Sequence, residues 1–110
     1  MKKITDIEWH DLPLEAISIN SDSISLLVTP YNEETKNYDV FSLVLSSFST
    51  ISFSIEGQLE QSALQEMEIA SFEHIESLGK LSGSIGILPA NAGYWSITFK
   101  DASWVLREST

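Results

Sequence analysis

The sequence predicts a mainly β fold in which 110 residues form one domain on a single antiparallel sheet, arranged as a sandwich or a half-barrel. Apolar and small polar residues alternate along much of the chain, as they do when successive side chains point to opposite faces of a sheet. Turn-forming residues separate these stretches. The length fits one domain and leaves no room for a second core.

The first two strands are predicted at residues 14–19 and 24–28, where apolar residues recur at alternate positions. The residues between them read Asn-Ser-Asp, which are turn formers, so we expect the two strands to form a hairpin. Pro30 ends the second strand, and residues 31–37 are a polar break.

The middle of the chain predicts two further strands. Residues 38–46 have apolar side chains at both odd and even positions, which is typical of a central strand buried on both faces. Residues 51–55 read Ile-Ser-Phe-Ser-Ile, so apolar and polar residues alternate with a period of two.

Residues 58–78 allow two interpretations. An apolar stripe can share one helical face, and Gly79 would then follow the last turn of a helix, which would make the fold α+β. In the other interpretation, the alternation from Glu66 to Ile69 begins a strand that changes phase at a bulge near Ala70. We expect the strand.

Three more strands are predicted near the C-terminus, at residues 81–88, 94–99 and 103–107. Residues 100–102 read Lys-Asp-Ala and interrupt the pattern, so we expect the last two strands to pair as a hairpin. Gly83 and Gly86 lie inside a strand pattern, where glycine is typical of a bulge or of close packing.

The net charge is −10, from 16 acidic residues against 6 lysines and arginines. Phosphate backbones and anionic lipids repel such a surface, so neither nucleic acid nor a membrane is an expected partner. No basic residue lies between Lys36 and Lys80, so we expect any charged partner to be basic. No leader-like or membrane-spanning apolar run is present, which predicts a cytoplasmic protein.

The sequence has no cysteine, and it has no recognisable metal, nucleotide or nucleophile motif. We therefore expect no cofactor, no metal ligand and no catalytic residue, and the chain is not predicted to be an enzyme.

His10 and Asp11 are the first candidates for chemistry, because a carboxylate can orient and tune a histidine. The structural interpretation is that they form the turn that leads into the first strand. In that case Asp11 accepts hydrogen bonds from backbone N–H groups, and Trp9 packs into the core. His74, which is flanked by carboxylates, is the second candidate.

Exposed aromatic residues are candidates for contacts with a partner, since tyrosine and tryptophan anchor interfaces. Tyr94 and Trp95 are adjacent in a predicted strand, so one of them should face solvent unless both faces are covered. The candidate binding residues are Trp9, His10, Asp11, Glu66, Glu68, Glu73, His74, Glu76, Tyr94 and Trp95.

Residues 7–14 read Ile-Glu-Trp-His-Asp-Leu-Pro-Leu and precede a strand, a turn and another strand. This opening resembles that of small bacterial β-rich domains that begin with a Trp-His-Asp or His-Asp-x-x-Leu signature, some of which are similar to immunity proteins. The resemblance implies a bacterial binding domain without catalytic residues. Pro13 departs from the pattern.

These observations predict a non-enzymatic protein-interaction domain, similar to an immunity protein, whose acidic residues within 56–76 and whose exposed aromatics meet a basic protein partner. The alternative is a small-ligand-binding domain or a weak hydrolase that uses His10 and His74. We also expect that the chain can form a homodimer, because lysines, which discourage pairing between exposed strand edges, are scarce.

Overall fold

A computed structural model describes residues 4–56, 67–89 and 93–109 of the chain. One turn of 3-10 helix, Ile4–Asp6, precedes the strands. Among the described residues, no helix is long and apolar enough to cross a membrane. The strands are β1 (Leu12–Ile19), β2 (Ser23–Val28), β3 (Tyr31–Asn32), β4 (Asn37–Tyr38), β5 (Val40–Ser46), β6 (Thr50–Glu56), β7 (Met67–Ser77), β8 (Lys80–Leu88) and β9 (Tyr94–Ser109).

Seven of the described strands form one antiparallel sheet in the order β5, β2, β1, β7, β8, β9, β6. β5 also pairs with β9, which closes six of these strands into a ring, and β6 pairs with the first half of β9. The short strands β3 and β4 pair with each other. The predicted single antiparallel sheet is therefore confirmed, and it curls until its strands meet.

The core lies inside this curled sheet and is formed mainly by alternate residues of β1, β2, β5, β7, β8 and β9. All the buried side chains among the described residues are apolar. The largest of those with less than 2% of their surface exposed include Phe41, Leu43 and Leu45 of β5 and Ile97 and Phe99 of β9. Burial of this apolar surface is the main favourable contribution to folding.

The first predicted hairpin is confirmed. β1 and β2 pair antiparallel, and the backbone N–H of Asn20 donates to the carbonyl oxygen of Ser23 at 2.8 Å. β5 lies between β2 and β9, as expected of a central strand. Its burial alternates, however, and Val44 on the outer face is only half-buried, so the expectation of two fully buried faces was wrong.

The described part of the ambiguous segment is a strand, β7, and residues 58–66 lie outside the described residues. The pairing with β8 shifts register between Ile69 and Ser71, which places a bulge at Ala70 as predicted. Gly79 ends no helix. It forms the turn between β7 and β8 with Leu78, and both residues have positive φ, at 77° and 54°.

The predicted C-terminal hairpin was wrong, because β9 is one continuous strand through residues 100–102. Asp101 adopts a left-handed φ of 56°, and the register with β8 shifts nearby, so the chain bends without leaving the sheet. The backbone N–H of Asp101 donates to Ser82 Oγ at 3.0 Å, and Ser49 Oγ donates to the Asp101 carboxylate at 3.2 Å. These contacts hold the bend.

Gly83 and Gly86 mark close approaches between strands, as expected. A Cβ atom at Gly83 would collide with the backbone carbonyl oxygen of Glu73 on β7, and one at Gly86 would collide with the Tyr94 hydroxyl. Because Gly86 has no side chain, the ring of Tyr94 packs directly against its backbone.

Candidate binding cleft

A concavity lies between the segment that leads into β1 and the β3–β4 hairpin. Its volume is about 750 Å³. One wall comes from residues 6–13 and the other from residues 29–41. A second concavity of about 520 Å³, lined by residues 21–23 and 46–48, contains one carboxylate, Asp22, and no tyrosine or histidine.

The hairpin wall includes the predicted polar break, residues 31–37. The side chain of Asn32 stabilises its turn. Its Oδ1 accepts the backbone N–H groups of Glu34 at 2.9 Å and Thr35 at 3.3 Å, which forms a side-chain-supported turn. Lys36 follows with a left-handed φ of 57°. Asn32 Nδ2 also donates to Asp39 Oδ2 at 3.0 Å, so one amide ties both ends of the hairpin.

Two tyrosines stand together on this hairpin. Tyr31 and Tyr38 are directly opposite each other in the β3–β4 register, and their rings meet edge to face with centroids 5.3 Å apart. They remain 50% and 59% exposed. Half of this large aromatic surface therefore stays available for a ligand at the rim of the cleft.

The opposite wall is anchored by Trp9, which is 6% exposed and packs in the core as expected. Its Nε1 donates to the carbonyl oxygen of Ile4 at 2.8 Å, and its ring meets Phe72 edge on at 5.0 Å. Trp9 was also a candidate binding residue. Because its ring is buried, it supports the wall from behind and does not form the surface of the cleft.

His10 and Asp11 form the turn that leads into β1. His10 Nδ1 and Asp11 Oδ2 are 2.9 Å apart, and both side chains are more than half exposed at the cleft. The expectation that the Asp11 carboxylate accepts backbone N–H groups was wrong, because its described partner is His10. The backbone makes the structural contact instead, since the Asp11 N–H donates to the carbonyl oxygen of Ile69 at 2.8 Å.

We expect substitutions of Asp11 to act through its backbone, whose φ is 61°. Asp11→Asn should change the free energy of unfolding by less than about 0.5 kcal/mol, because asparagine tolerates left-handed φ and the side-chain contact with His10 is exposed. Asp11→Ala should cost about 1–2 kcal/mol, because alanine does not favour this conformation. Urea unfolding measures both. Equal losses in the two variants would instead assign the stabilisation to the carboxylate.

Carboxylates dominate the lining of the cleft. Six of them line it, at Asp6, Glu8, Asp11, Glu33, Glu34 and Asp39, and none of the described lining residues is lysine or arginine. Within the described ranges, no group of three or more His, Cys, Asp or Glu side chains is arranged to hold a metal ion. The negative charge is therefore spread along the concavity, which suits an extended cationic ligand better than a single ion.

Models of known protein families, curated proteins and solved structures give no match to this chain. The function must therefore be argued from the cleft itself.

None of the described candidate residues of β7 is among the residues that line the cleft. Glu68 is half-buried, where it pairs with Pro13 of β1. His74 is half-buried against Phe72, with ring centroids 4.8 Å apart. Glu73 and Glu76 are exposed, but their odd and even positions put them on opposite faces of the strand. Glu66 lies outside the described residues.

Tyr94 and Trp95 face opposite sides of β9, as alternation predicts. Tyr94 is exposed on the outer face, and Trp95 packs against the core. Trp95 Nε1 is buried, and no hydrogen-bond partner for it lies within the described residues.

Of the candidate binding residues predicted from the sequence, only His10 and Asp11 line the cleft. The candidate set lacked the other five lining carboxylates and the two tyrosines, which are Asp6, Glu8, Glu33, Glu34, Asp39, Tyr31 and Tyr38. The available signal was the pair of tyrosines that brackets the polar break, since residues at equal distance from a turn face each other across a hairpin.

Proposed function

We propose that this chain is a non-catalytic protein-interaction domain whose cleft binds a cationic segment of a protein partner. The observation that carries the proposal is the lining of one concave surface by six carboxylates and two exposed tyrosine rings, with no lysine or arginine among the described lining residues.

The chemistry of the lining favours lysine and arginine side chains. Like charges in a concave site reinforce one another and raise the local concentration of a ligand of opposite sign. Carboxylates accept charge-assisted hydrogen bonds from guanidinium and ammonium groups. The exposed faces of Tyr31 and Tyr38 add a cation–π attraction for the same groups.

The proposed surface differs from the acidic residues of 56–76 that the sequence favoured. Glu73 and Glu76 point to opposite faces of β7, so they cannot meet one partner surface together. Glu33, Glu34 and Glu8 line the same cavity. The cleft is therefore the better candidate for binding a basic partner than the acidic residues of 56–76, because its carboxylates lie on one concave surface.

We extend the proposal to an immunity-like role in bacteria, in which the domain would neutralise a basic toxin by covering its positively charged surface. The net charge of −10 supports this, because opposite charges speed association and fix orientation. A chain without cysteine fits the reducing cytoplasm, where we expect the domain to act.

A second candidate function is the binding of a small organic cation. The cavity volume of about 750 Å³ is within the range of small-ligand sites, and the tyrosine pair provides an aromatic surface. The hydrolase version has less support, because His10 lines the cleft whereas His74 packs against Phe72 on β7 and is not among the lining residues.

Calorimetric titration with a short oligolysine peptide tests the proposal. We expect saturable binding that weakens as salt is added, and no binding of an oligoglutamate peptide of equal length. Replacing both Tyr31 and Tyr38 with leucine should lower the affinity by about three- to tenfold, because two exposed cation–π contacts are removed. If spermidine saturates the cleft and the peptide does not bind, the small-cation function is favoured; if neither binds, the proposal is wrong.

A further inference from the structure

The outer edge of β6 (Thr50–Glu56) has no strand beside it in the described part of the chain. Its other edge pairs with β9 over seven consecutive residues, from Thr50 opposite Lys100 to Glu56 opposite Tyr94. A strand at the edge of a sheet presents unpaired N–H and C=O groups, and another strand can add to them.

This edge lacks the features that usually prevent such pairing. Residues 50–55 contain no charged residue and no proline, and the register of β6 with β9 has no bulge. Phe53 is 43% exposed. The other incompletely paired strands differ: β1 has Pro13, Glu15 and a register shift after Leu14, whereas β7 is interrupted at Ala70.

Residues 51–55 read Ile-Ser-Phe-Ser-Ile in both directions. In an antiparallel pair with a two-fold axis at Phe53, Ser52 faces Ser54 of the second copy, and Phe53 faces its own equivalent. Ile51 in the same way faces Ile55 of the second copy. Because the side-chain period is two, the serines fall on one face, and Ile51 and Phe53 on the other. Cross-strand apolar and aromatic pairs of this kind stabilise sheets.

We propose that two copies of this chain associate antiparallel through β6, with the two-fold axis at Phe53. The contact is isologous, as expected of a closed dimer, and it continues the sheet from one copy into the next. No residue of β6 lines the cleft. Dimerisation through β6 therefore does not depend on the binding of a cationic ligand in the cleft.

The charge of the protein gives the association a characteristic salt dependence. Each copy has a net charge of −10, so two copies repel each other at low ionic strength, while residues 50–55 of the contact itself are neutral. Added salt screens this repulsion and should strengthen the dimer. Salt should weaken the binding of oligolysine, so the two effects are distinguishable.

Sedimentation equilibrium of the full chain, over a micromolar concentration series at low and moderate salt, tests the proposal. We expect a monomer–dimer equilibrium that shifts toward dimer as salt is added. The double variant Ser52→Lys and Ser54→Lys places like charges opposite each other twice, and it should raise the dissociation constant about tenfold or more. Both serines are exposed, so folding should be retained, which circular dichroism checks.

The matched control is Ser18→Lys with Ser77→Lys, which adds the same charge at exposed positions outside β6. It should dimerise at least as well as the wild type, because it lowers the net repulsion. Amide exchange in residues 51–55 should also slow as the protein concentration rises. A wild type that stays monomeric at both salt concentrations, or equal dissociation constants for the two lysine variants, would overturn the proposal.

Discussion

Replacing Trp9 with alanine is expected to lower the free energy of unfolding by about 3–5 kcal/mol. The indole is 6% exposed and fills the core behind the wall of the cleft. Its Nε1 donates to the carbonyl oxygen of Ile4 at 2.8 Å, and its ring contacts Phe72, whose ring lies 6.3 Å from that of Phe99. The loss would remove a large fraction of the roughly 5–15 kcal/mol that stabilises a typical domain.

Two controls separate the contributions of this side chain. Trp9→Phe keeps an aromatic ring but removes the indole N–H that donates to the Ile4 carbonyl oxygen, which keeps only the backbone N–H of Ile7 at 3.3 Å, so we expect a smaller loss, about 1–3 kcal/mol. His10→Ala changes an exposed neighbour and should stay within about 0.5 kcal/mol of the wild type. Urea unfolding measures the stability of all three variants. Far-UV circular dichroism is the suitable signal, because it does not rely on the fluorescence of the residue that is changed. A Trp9→Ala protein as stable as the wild type would mean that the ring does not fasten residues 4–11 to the sheet.

Neutralising three of the six carboxylates that line the cleft is expected to lower the affinity for oligolysine about tenfold at low salt, since several favourable charge contacts are removed together. The variant combines Glu8→Gln, Glu33→Gln and Glu34→Gln, three exposed residues of the lining. Glutamine keeps the size of each side chain, so the change is confined to charge.

The matched control carries Glu73→Gln, Glu76→Gln and Glu108→Gln, which are exposed and do not line the cleft. Both variants lose three negative charges, so a general effect of net charge would weaken both equally. We expect the control to lose less than about twofold, because charges far from the ligand are screened. Equal losses in the two variants would show that the peptide binds the acidic surface without preference for the cleft.

The alternation of apolar residues predicted the strands because it is a local property. The Ile-Ser-Phe-Ser-Ile run and the hairpin around Asn20 were both found from residues adjacent in sequence. The bulge at Ala70 was also predictable, since the alternation changes phase there. In each case the information lies within a few residues.

The continuity of β9 depends on contacts that no local pattern contains. Lys100, Asp101 and Ala102 have the composition of a turn. The bend at Asp101 stays within the sheet because Ser82 of β8 and Ser49 of the turn between β5 and β6 bind it. The pairing of β5 with both β2 and β9 likewise depends on how the whole sheet curls.

The cleft was predictable only in part, for the same reason. His10 and Asp11 attracted attention as a pair of titratable neighbours, and they do lie at its rim. The wall opposite them comes from residues 29–41, and the approach of the two walls follows from the pairing of β1 with β2 and the fold of the small hairpin. Glu33 and Glu34 become part of a candidate binding site only because the two walls lie close together.

Chemical-shift mapping of the labelled protein during an oligolysine titration tests the central claim most directly. The amides of residues 8–12 and 31–39 should shift together along one saturable curve, while those of residues 71–77 on β7 should remain in place. Added salt should reverse the shifts. Changes centred on residues 71–77, or changes spread over the whole surface without saturation, would contradict the assignment of the cleft as the binding site.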